Sequence, residues 1–155
     1  MKVLVLYYTK TGHTLEAANA TAEGIRAAGS QVDLVPVGSL DAIDLASYDA
    51  LIVGSPCWAG SLTPLGVAEP VVKALETLAP GALEGKRGGG ISVHSGIGGA
   101  TTVRTIGEML VQKGCEDYRP GPAARAGIPL SLWKGPSVSP EDEARFRAFG
   151  KEFVG

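Results

Sequence analysis

Charge of either sign and cysteine are both scarce in this chain of 155 residues. Charged residues make up 19% of the chain and the formal net charge is −2 at pH 7, which argues against a nucleic-acid partner because binding a phosphate backbone needs a basic face. The two cysteines, Cys57 and Cys115, each stand without a CxxC motif or a neighbouring Cys/His cluster. Neither a disulfide framework nor a structural zinc site is therefore expected, and no metal ligand is predicted.

Long hydrophobic runs are absent too. No uninterrupted apolar stretch approaches the roughly 18 residues that a membrane-spanning helix needs. The apolar start at 1–8 meets polar residues at Thr9 without a small-residue cleavage site, so a cytoplasmic protein with no membrane partner is expected. With 45% hydrophobic residues, the chain can bury a core of its own, and a single globular domain over residues 1–155 is predicted.

What the chain does have is a series of short apolar runs of strand length, which is typical of buried parallel strands. Segments with apolar residues at helical spacing lie between them. The last of these starts at Ser139 as predicted N-cap, with Pro140 at the first helical position, and places Phe146, Phe149 and Phe153 on one face. This alternation predicts an α/β fold: a doubly wound, five-stranded parallel sheet with helices on both faces. The predicted strands are 2–8, 31–37, 50–54, 89–93 and, within a proline-rich region at 115–138, a fifth near 128–133.

Three segments, 9–14, 55–64 and 94–102, follow the first, third and fourth predicted strands. All three are rich in Gly, Ser, Thr or Pro, and all are longer than a bare turn needs. In a doubly wound sheet the ligand lies outside the carboxyl ends of the strands, where the strand order reverses. We therefore expect the chemistry of this protein on these three segments.

The first of these segments, TKTGHT, has the composition of an anion-binding loop. A phosphate at a helix N-terminus meets unpaired N–H groups, and Gly12 allows a close backbone approach. The hydroxyls of Thr9, Thr11 and Thr14 add neutral donors. Neither GxGxxG nor the GxxxxGK pattern is present, which favours a mononucleotide over the ligands of those motifs. A polar turn with Thr14 as an ordinary N-cap fits the six residues equally well.

The same hexapeptide resembles the phosphate loop of the flavodoxin superfamily, and GSPCWAG at 54–60 resembles the flavin loop after the third strand of that superfamily. The resemblance runs over nearly the whole chain and implies the strand order 2-1-3-4-5, with FMN bound where that order reverses. It implies phosphate contacts from Thr9, Thr11, Gly12, His13 and Thr14, with Lys10 in the same loop but directed to solvent. It implies contacts to one side of the isoalloxazine from Pro56, Cys57, Trp58, Ala59 and Gly60. The contacts that it implies to the other side come from His94, Ser95, Gly96, Ile97, Gly98 and Gly99.

Several of these residues have a physical reason of their own to contact a flavin, each beside a plainer alternative. An indole at Trp58 would be left exposed unless a flat ring stacks on it, although it could pack within its own loop. The glycines at 96, 98 and 99 offer unobstructed N–H groups or merely permit a tight turn. His94 could contact the flavin or a backbone carbonyl, and Cys57 is more simply a small buried residue than a redox sensor.

Two positions depart from the pattern of flavodoxin electron carriers. Ala59 stands where carriers have a glycine whose peptide flips toward the reduced flavin. The loop after the fourth strand offers only Ile97 in place of a stacking tyrosine, so one flavin face is expected to be open. The nearly neutral charge also gives little field for docking a basic reductase.

Three functions fit these observations. An electron-transfer protein that binds FMN and passes electrons between redox partner proteins is favoured by the short chain and by the lack of an obvious pyridine-nucleotide site. The alternative is an NAD(P)H-dependent FMN or quinone reductase, with a small quinone or flavin substrate on the open flavin face. A flavin-free interaction module is a third, against which the loop hydroxyls weigh. No catalytic residue is predicted, and neither the oligomeric state nor the choice between carrier and enzyme follows from the sequence.

Overall fold

Strands and helices alternate along the chain, as the predicted fold class requires. The structure is a computed structural model that describes residues 1–57, 66–94, 98–126 and 137–155. Within these ranges the strands are β1 (Lys2–Tyr7), β2 (Gln31–Pro36), β3 (Ala50–Pro56), β4 (Arg87–His94) and β5 (Asp117–Arg125). The helices are α1 (His13–Ala27), α2 (Glu69–Glu76), α3 (Gly99–Gln112) and α4 (Pro140–Phe153), with short 3-10 turns at Val37–Ala42 and Leu45–Ser47.

The five strands form one parallel sheet in the order β2-β1-β3-β4-β5, which confirms the predicted order. The order reverses at β1, because the chain moves to one side of β1 to form β2 and then crosses to its other side to form β3. At such a switch point the connections that follow the two central strands run in opposite directions and leave a crevice between them. The carboxyl ends of β1 and β3 border that crevice.

The core lies on both faces of the sheet, because helices cover its central strands on each side. Alternate residues of β1 enter different clusters: Leu4 and Leu6 pack with residues of α2 and α3, whereas Val3 and Val5 pack with residues of α1 and α4. Most of the predicted helical stripes are buried against these clusters. Their fully or nearly fully buried members are Ala18, Ala22 and Ile25 of α1, Val71 and Leu75 of α2, Val103, Ile106 and Leu110 of α3, and Phe146 and Phe153 of α4.

The fifth strand lies within the predicted region, 115–138, but earlier in it than the sequence suggests. The predicted location, 128–133, lies outside the described residues, and the sheet is completed by β5 at Asp117–Arg125. Pro120 and Pro122 hid this strand in the sequence, because proline donates no hydrogen bond to a sheet. The strand forms nonetheless because β5 lies at the edge of the sheet and its pairing with β4 contains a register shift, and prolines are tolerated at both kinds of position.

Helix α1 packs against α4 through a glycine on each side. Gly24 of α1 lies so close to α4 that a Cβ there would overlap the carbonyl of Arg147, and a Cβ on Gly150 of α4 would overlap the carbonyl of Thr21. Two helix backbones approach this closely only where no side chain intervenes. Glu23 accepts two hydrogen bonds from Arg147 across the same interface, at 2.9 and 3.0 Å. The contact fixes α1, whose first turn borders the crevice, against a second helix.

We predict that Gly24→Ala lowers the free energy of unfolding by about 2 kcal/mol or more, because the added methyl group meets backbone that cannot move aside without separating the helices. Urea denaturation of the flavin-free protein measures the change. Gly38→Ala is the matched control, since a Cβ at Gly38 meets no atom within 4 Å, and its expected effect is below about 0.5 kcal/mol. Equal effects of the two substitutions would contradict the close approach of α1 and α4.

Candidate functional site

The carboxyl ends of β1, β3 and β4 lie side by side, because these three strands are neighbours in the sheet. β1 ends at Tyr7, β3 at Pro56 and β4 at His94. The N–H of Tyr8 donates to the carbonyl of Gly54 at 3.1 Å, which continues the pairing of β1 with β3 one residue past the end of β1. The three segments that the sequence marks for chemistry therefore begin at one edge of the sheet.

The segment after β1 turns into α1 at Gly12. Gly12 is the N-cap residue with a φ of 94°, a left-handed conformation that glycine adopts without strain. Its N–H donates to Thr9 Oγ1 at 3.0 Å, and no side chain caps the N-terminus of α1. Thr14 lies inside the first turn of α1 and is 3% exposed, so the interpretation of Thr14 as an ordinary N-cap is wrong. The first N–H groups of α1 therefore face a loop that lacks a capping side chain.

The segment after β3 is held at its base by Ser55 and by a short bridge. Ser55 Oγ accepts from the N–H of Ala68, the N-cap residue of α2, at 3.0 Å, and donates to the carbonyl of Pro56 at 2.8 Å. Cys57 forms an isolated antiparallel bridge with Val67, which brings the two flanks of this segment together. The predicted ring contacts Trp58, Ala59 and Gly60 lie outside the described residues, and their roles stay predictions.

The segment after β4 leads into α3. His94 is the last residue of β4, Gly98 is the N-cap residue of α3 with a φ of 100°, and Gly99 is the first residue of the helix. A Cβ on Gly99 would overlap the His94 ring, so the imidazole packs against the first residue of α3. The structure thus brings His94, Gly98 and Gly99 together. Ser95, Gly96 and Ile97 lie outside the described residues, and their contacts stay predictions.

Cys57 lies where the second and third segments meet. A Cβ added at Gly66 would lie 2.9 Å from Cys57 Sγ, and one added at Gly98 would lie 3.0 Å from it. Thr102 Oγ1 donates to the carbonyl of Gly98 at 3.2 Å and would lie 3.3 Å from the Cβ at Gly66. Because neither glycine has a Cβ, the backbone can pass the thiol where a side chain would collide with it, and their φ values of 83° and 100° are a second reason for glycine at both positions. Cys57 therefore joins two walls of the site.

The central loops of the site carry no formal charge, and charged residues stand at its margins. The stretch 50–68 contains no Asp, Glu, Lys or Arg. Lys10 is exposed in the first segment, and Arg125 is exposed at the end of β5.

Sequence reasoning missed Arg125 because it placed the fifth strand later in the chain. It also missed Glu16, whose Oε1 lies 3.4 Å from Nδ1 of the buried His13, although their three-residue spacing on a helix was a readable signal.

Two features are absent from the described residues. No helix in that part of the chain is long and apolar enough to cross a membrane. The same residues contain no group of three or more His, Cys, Asp or Glu side chains that could hold a metal ion.

A parallel sheet of this order, with an uncapped helix N-terminus at its switch point, is the architecture of α/β proteins that bind a mononucleotide. Comparison with protein families makes the class specific. Residues 5–120 match the family described as Flavodoxin, and the chain belongs to that family. FMN is the cofactor of the family, which confirms the predicted cofactor.

The sequence relatives carry a narrower name. An NAD(P)H dehydrogenase (quinone) from Rhodopseudomonas palustris is 40% identical over 110 residues, which cover 57% of this chain and 54% of that protein, so the chain spans about half of its length. A protein of the same name from Chromohalobacter salexigens is 35% identical over 166 residues, covering 92% of this chain and 77% of its own. Among solved structures, oxidised Flavodoxin 2 from Bacillus cereus is 25% identical with a TM-score of 0.75, covering 99% of this chain and 98% of that one.

We predict that Cys57 reacts with iodoacetamide faster than Cys115 in the folded protein. Cys57 is half-exposed at the sheet edge, whereas Cys115 is 2% exposed and burial raises the pKa of its thiol. Alkylation at mildly alkaline pH, followed by peptide mass spectrometry, gives both rates. Cys57→Ser is the control and removes the fast phase only. Faster labelling of Cys115 would contradict the placement of these residues.

Proposed function

We propose that this protein binds FMN with its phosphate in the segment 9–14 and transfers electrons through the bound flavin. The observation that carries the proposal is the N-terminus of α1, which starts at the switch point of the sheet, turns on a left-handed Gly12 and has no side-chain cap. A helix end of this kind attracts an anion through its N–H groups and its dipole. The segment therefore offers a phosphate a site that does not depend on a bound cation.

The residues of this segment fit a phosphate held mainly by neutral donors. Thr9 Oγ1 accepts the N–H of Gly12, so its own O–H remains to donate toward a ligand. Thr11 is half-buried in the loop and offers a second hydroxyl, while Lys10 is exposed. The proposed phosphate contacts are the hydroxyls of Thr9, Thr11 and Thr14 and the N–H groups of the first turn of α1. Such contacts are charge-assisted and stronger than hydrogen bonds between neutral groups.

The isoalloxazine, in this proposal, lies between the segments that follow β3 and β4. Pro56 and Cys57 border it on one side, and His94, Gly98 and Gly99 border it on the other. When bound, FMN supplies a ring that accepts and releases electrons singly or as a pair with hydride. The part of the protein is to hold that ring, orient it and keep charge away from it. The loops around the ring contain no carboxylate that would repel electrons added there.

Two candidate forms of electron transfer remain. As a carrier, the protein would pass electrons between redox partner proteins, and its match to nearly the full length of a bacterial flavodoxin favours this role. As a reductase, it would take a hydride from NAD(P)H and deliver two electrons, with two protons, to a quinone. The shared name of the sequence relatives, at 35% identity over 92% of this chain in one case, favours the reductase. Both forms use the same bound flavin, so the electron donor separates them.

We predict that the protein binds FMN one to one and far more tightly than riboflavin, and that Thr11→Ala weakens FMN binding by about 1–3 kcal/mol, the value of a hydrogen bond to a charged group. Riboflavin binding should hardly change, because riboflavin has no phosphate. Titration followed by flavin fluorescence gives both affinities. Thr77→Ala is the matched control: Thr77 is an exposed threonine whose hydroxyl donates to the carbonyl of Ala74 at 2.6 Å, far along the chain from the loop. Equal wild-type affinity for the two flavins would refute the phosphate site.

We predict that NADH or NADPH alone bleaches the visible absorption of the FMN-loaded protein in the absence of oxygen, and that one equivalent of a benzoquinone restores it. The expectation follows from the relatives, and the absorption spectrum at each addition measures it. Free FMN with the same nicotinamide is the control for uncatalysed reduction. A spectrum that either nicotinamide leaves unchanged, but that a flavodoxin reductase protein then bleaches, would establish the carrier and refute the reductase.

A further inference from the structure

Glu16 contacts both the first residue of α1 and the residue that precedes the N-cap of α4. It lies in the first turn of α1, with its side chain 24% exposed. Its Oε1 lies 3.4 Å from Nδ1 of His13, and its Oε2 accepts from the N–H of Val138 at 3.0 Å. One carboxylate thus joins two parts of the chain that are 122 residues apart in sequence, 16 to 138.

The first contact reaches the proposed phosphate loop. His13 is the first residue of α1 and follows Gly12 directly, and only 5% of it is exposed. Its imidazole is therefore buried at the start of the helix whose first N–H groups face the loop. An unpaired carboxylate one turn from a phosphate would repel it. The Glu16 carboxylate instead accepts a hydrogen bond from the Val138 N–H and lies against the imidazole of His13.

The second contact reaches the start of α4. Val138 is 4% exposed and immediately precedes Ser139, the N-cap residue of α4, whose Oγ accepts from the N–H of Asp142 at 3.1 Å. Helix α1 is already bound to α4 further along, where Gly24 and Gly150 allow close packing. Glu16 adds a fixed point at the end of α1 that borders the site.

We propose that Glu16 is a positioning residue for the FMN phosphate: it holds His13, and with it the first turn of α1, in the conformation that binds phosphate, and it couples that turn to the chain entering α4. This inference rests on the proposed binding of the FMN phosphate in the segment 9–14. Glu16 itself does not contact the phosphate. Its effect is therefore expected on ligands that carry the phosphate and not on the flavin ring.

The test compares FMN with riboflavin in three variants of the full chain. Glu16→Ala should weaken FMN binding about tenfold and change riboflavin binding less than about twofold, since one hydrogen-bonded support of the phosphate turn is lost. Glu16→Gln should keep FMN affinity within about twofold of wild type, because its amide oxygen still accepts from the Val138 N–H and its side chain has nearly the same size and shape beside His13. Glu23→Ala is the matched control: it removes a carboxylate of the same helix that also contacts α4, through Arg147, and should leave the ratio of the two affinities unchanged.

Hydrogen exchange at the Val138 amide gives a second readout that does not depend on activity. Because coupling between two sites is reciprocal, FMN should slow exchange of this amide more than riboflavin does in wild type and in Glu16→Gln. In Glu16→Ala the difference between the two flavins should vanish.

The outcomes separate the inference from the function on which it rests. Equal weakening of FMN and riboflavin in Glu16→Ala, or no weakening of either, would overturn the positioning role. So would a Glu16→Gln variant as weak as Glu16→Ala, or a wild-type Val138 amide that responds alike to both flavins. Wild-type protein that does not distinguish FMN from riboflavin would instead refute the phosphate site itself.

Discussion

The pairing of β1 with β2 on one side and β3 on the other is the constraint on which the rest of the structure depends. It sends the connections after β1 and β3 in opposite directions and so opens the crevice at their carboxyl ends. β1 can take this central place because it is apolar on both faces, with Val3 and Val5 toward one pair of helices and Leu4 and Leu6 toward the other. A strand buried on both faces needs helices on both sides, which right-handed crossovers provide.

The walls of the crevice are built by close packing, and small residues make that packing possible. Gly24 and Gly150 bring α1 and α4 into backbone contact, and Gly66 and Gly98 let the backbone pass close to Cys57. A methyl group at Gly24 or Gly150 would overlap the backbone of the other helix. A methyl group at Gly66 or Gly98 would crowd Cys57 Sγ, and the positive φ of these two positions would strain any other residue. The high glycine content of the chain, 22 of 155 residues, is thus used in part for close packing around the site and not only for turns.

Local patterns predicted the parts of the fold that depend on short stretches of sequence. The strands with uninterrupted apolar runs and the helix that Ser139 caps lie where the sequence places them, since hydrophobic periodicity and capping act within a few residues. The three segments at the carboxyl ends of β1, β3 and β4 were also predictable, because parallel topology places such segments together. β5 was misplaced, since Pro120 and Pro122 argue locally against a strand that only an edge position permits.

The sequence by itself determined the α/β alternation, the strand order through its resemblance to a known superfamily, and the hydroxyl-rich turn before α1. These follow from apolar periodicity and from residue types at short spacing. Only the tertiary structure decided that Gly12 rather than Thr14 is the N-cap residue of α1, that Gly66 and Gly98 both lie against Cys57, and that Glu16 reaches both His13 and Val138. The physical reason is that hydrogen bonds and close contacts between distant segments depend on how the helices pack on the sheet, and that packing is set by the whole core and not by the neighbours of any one residue.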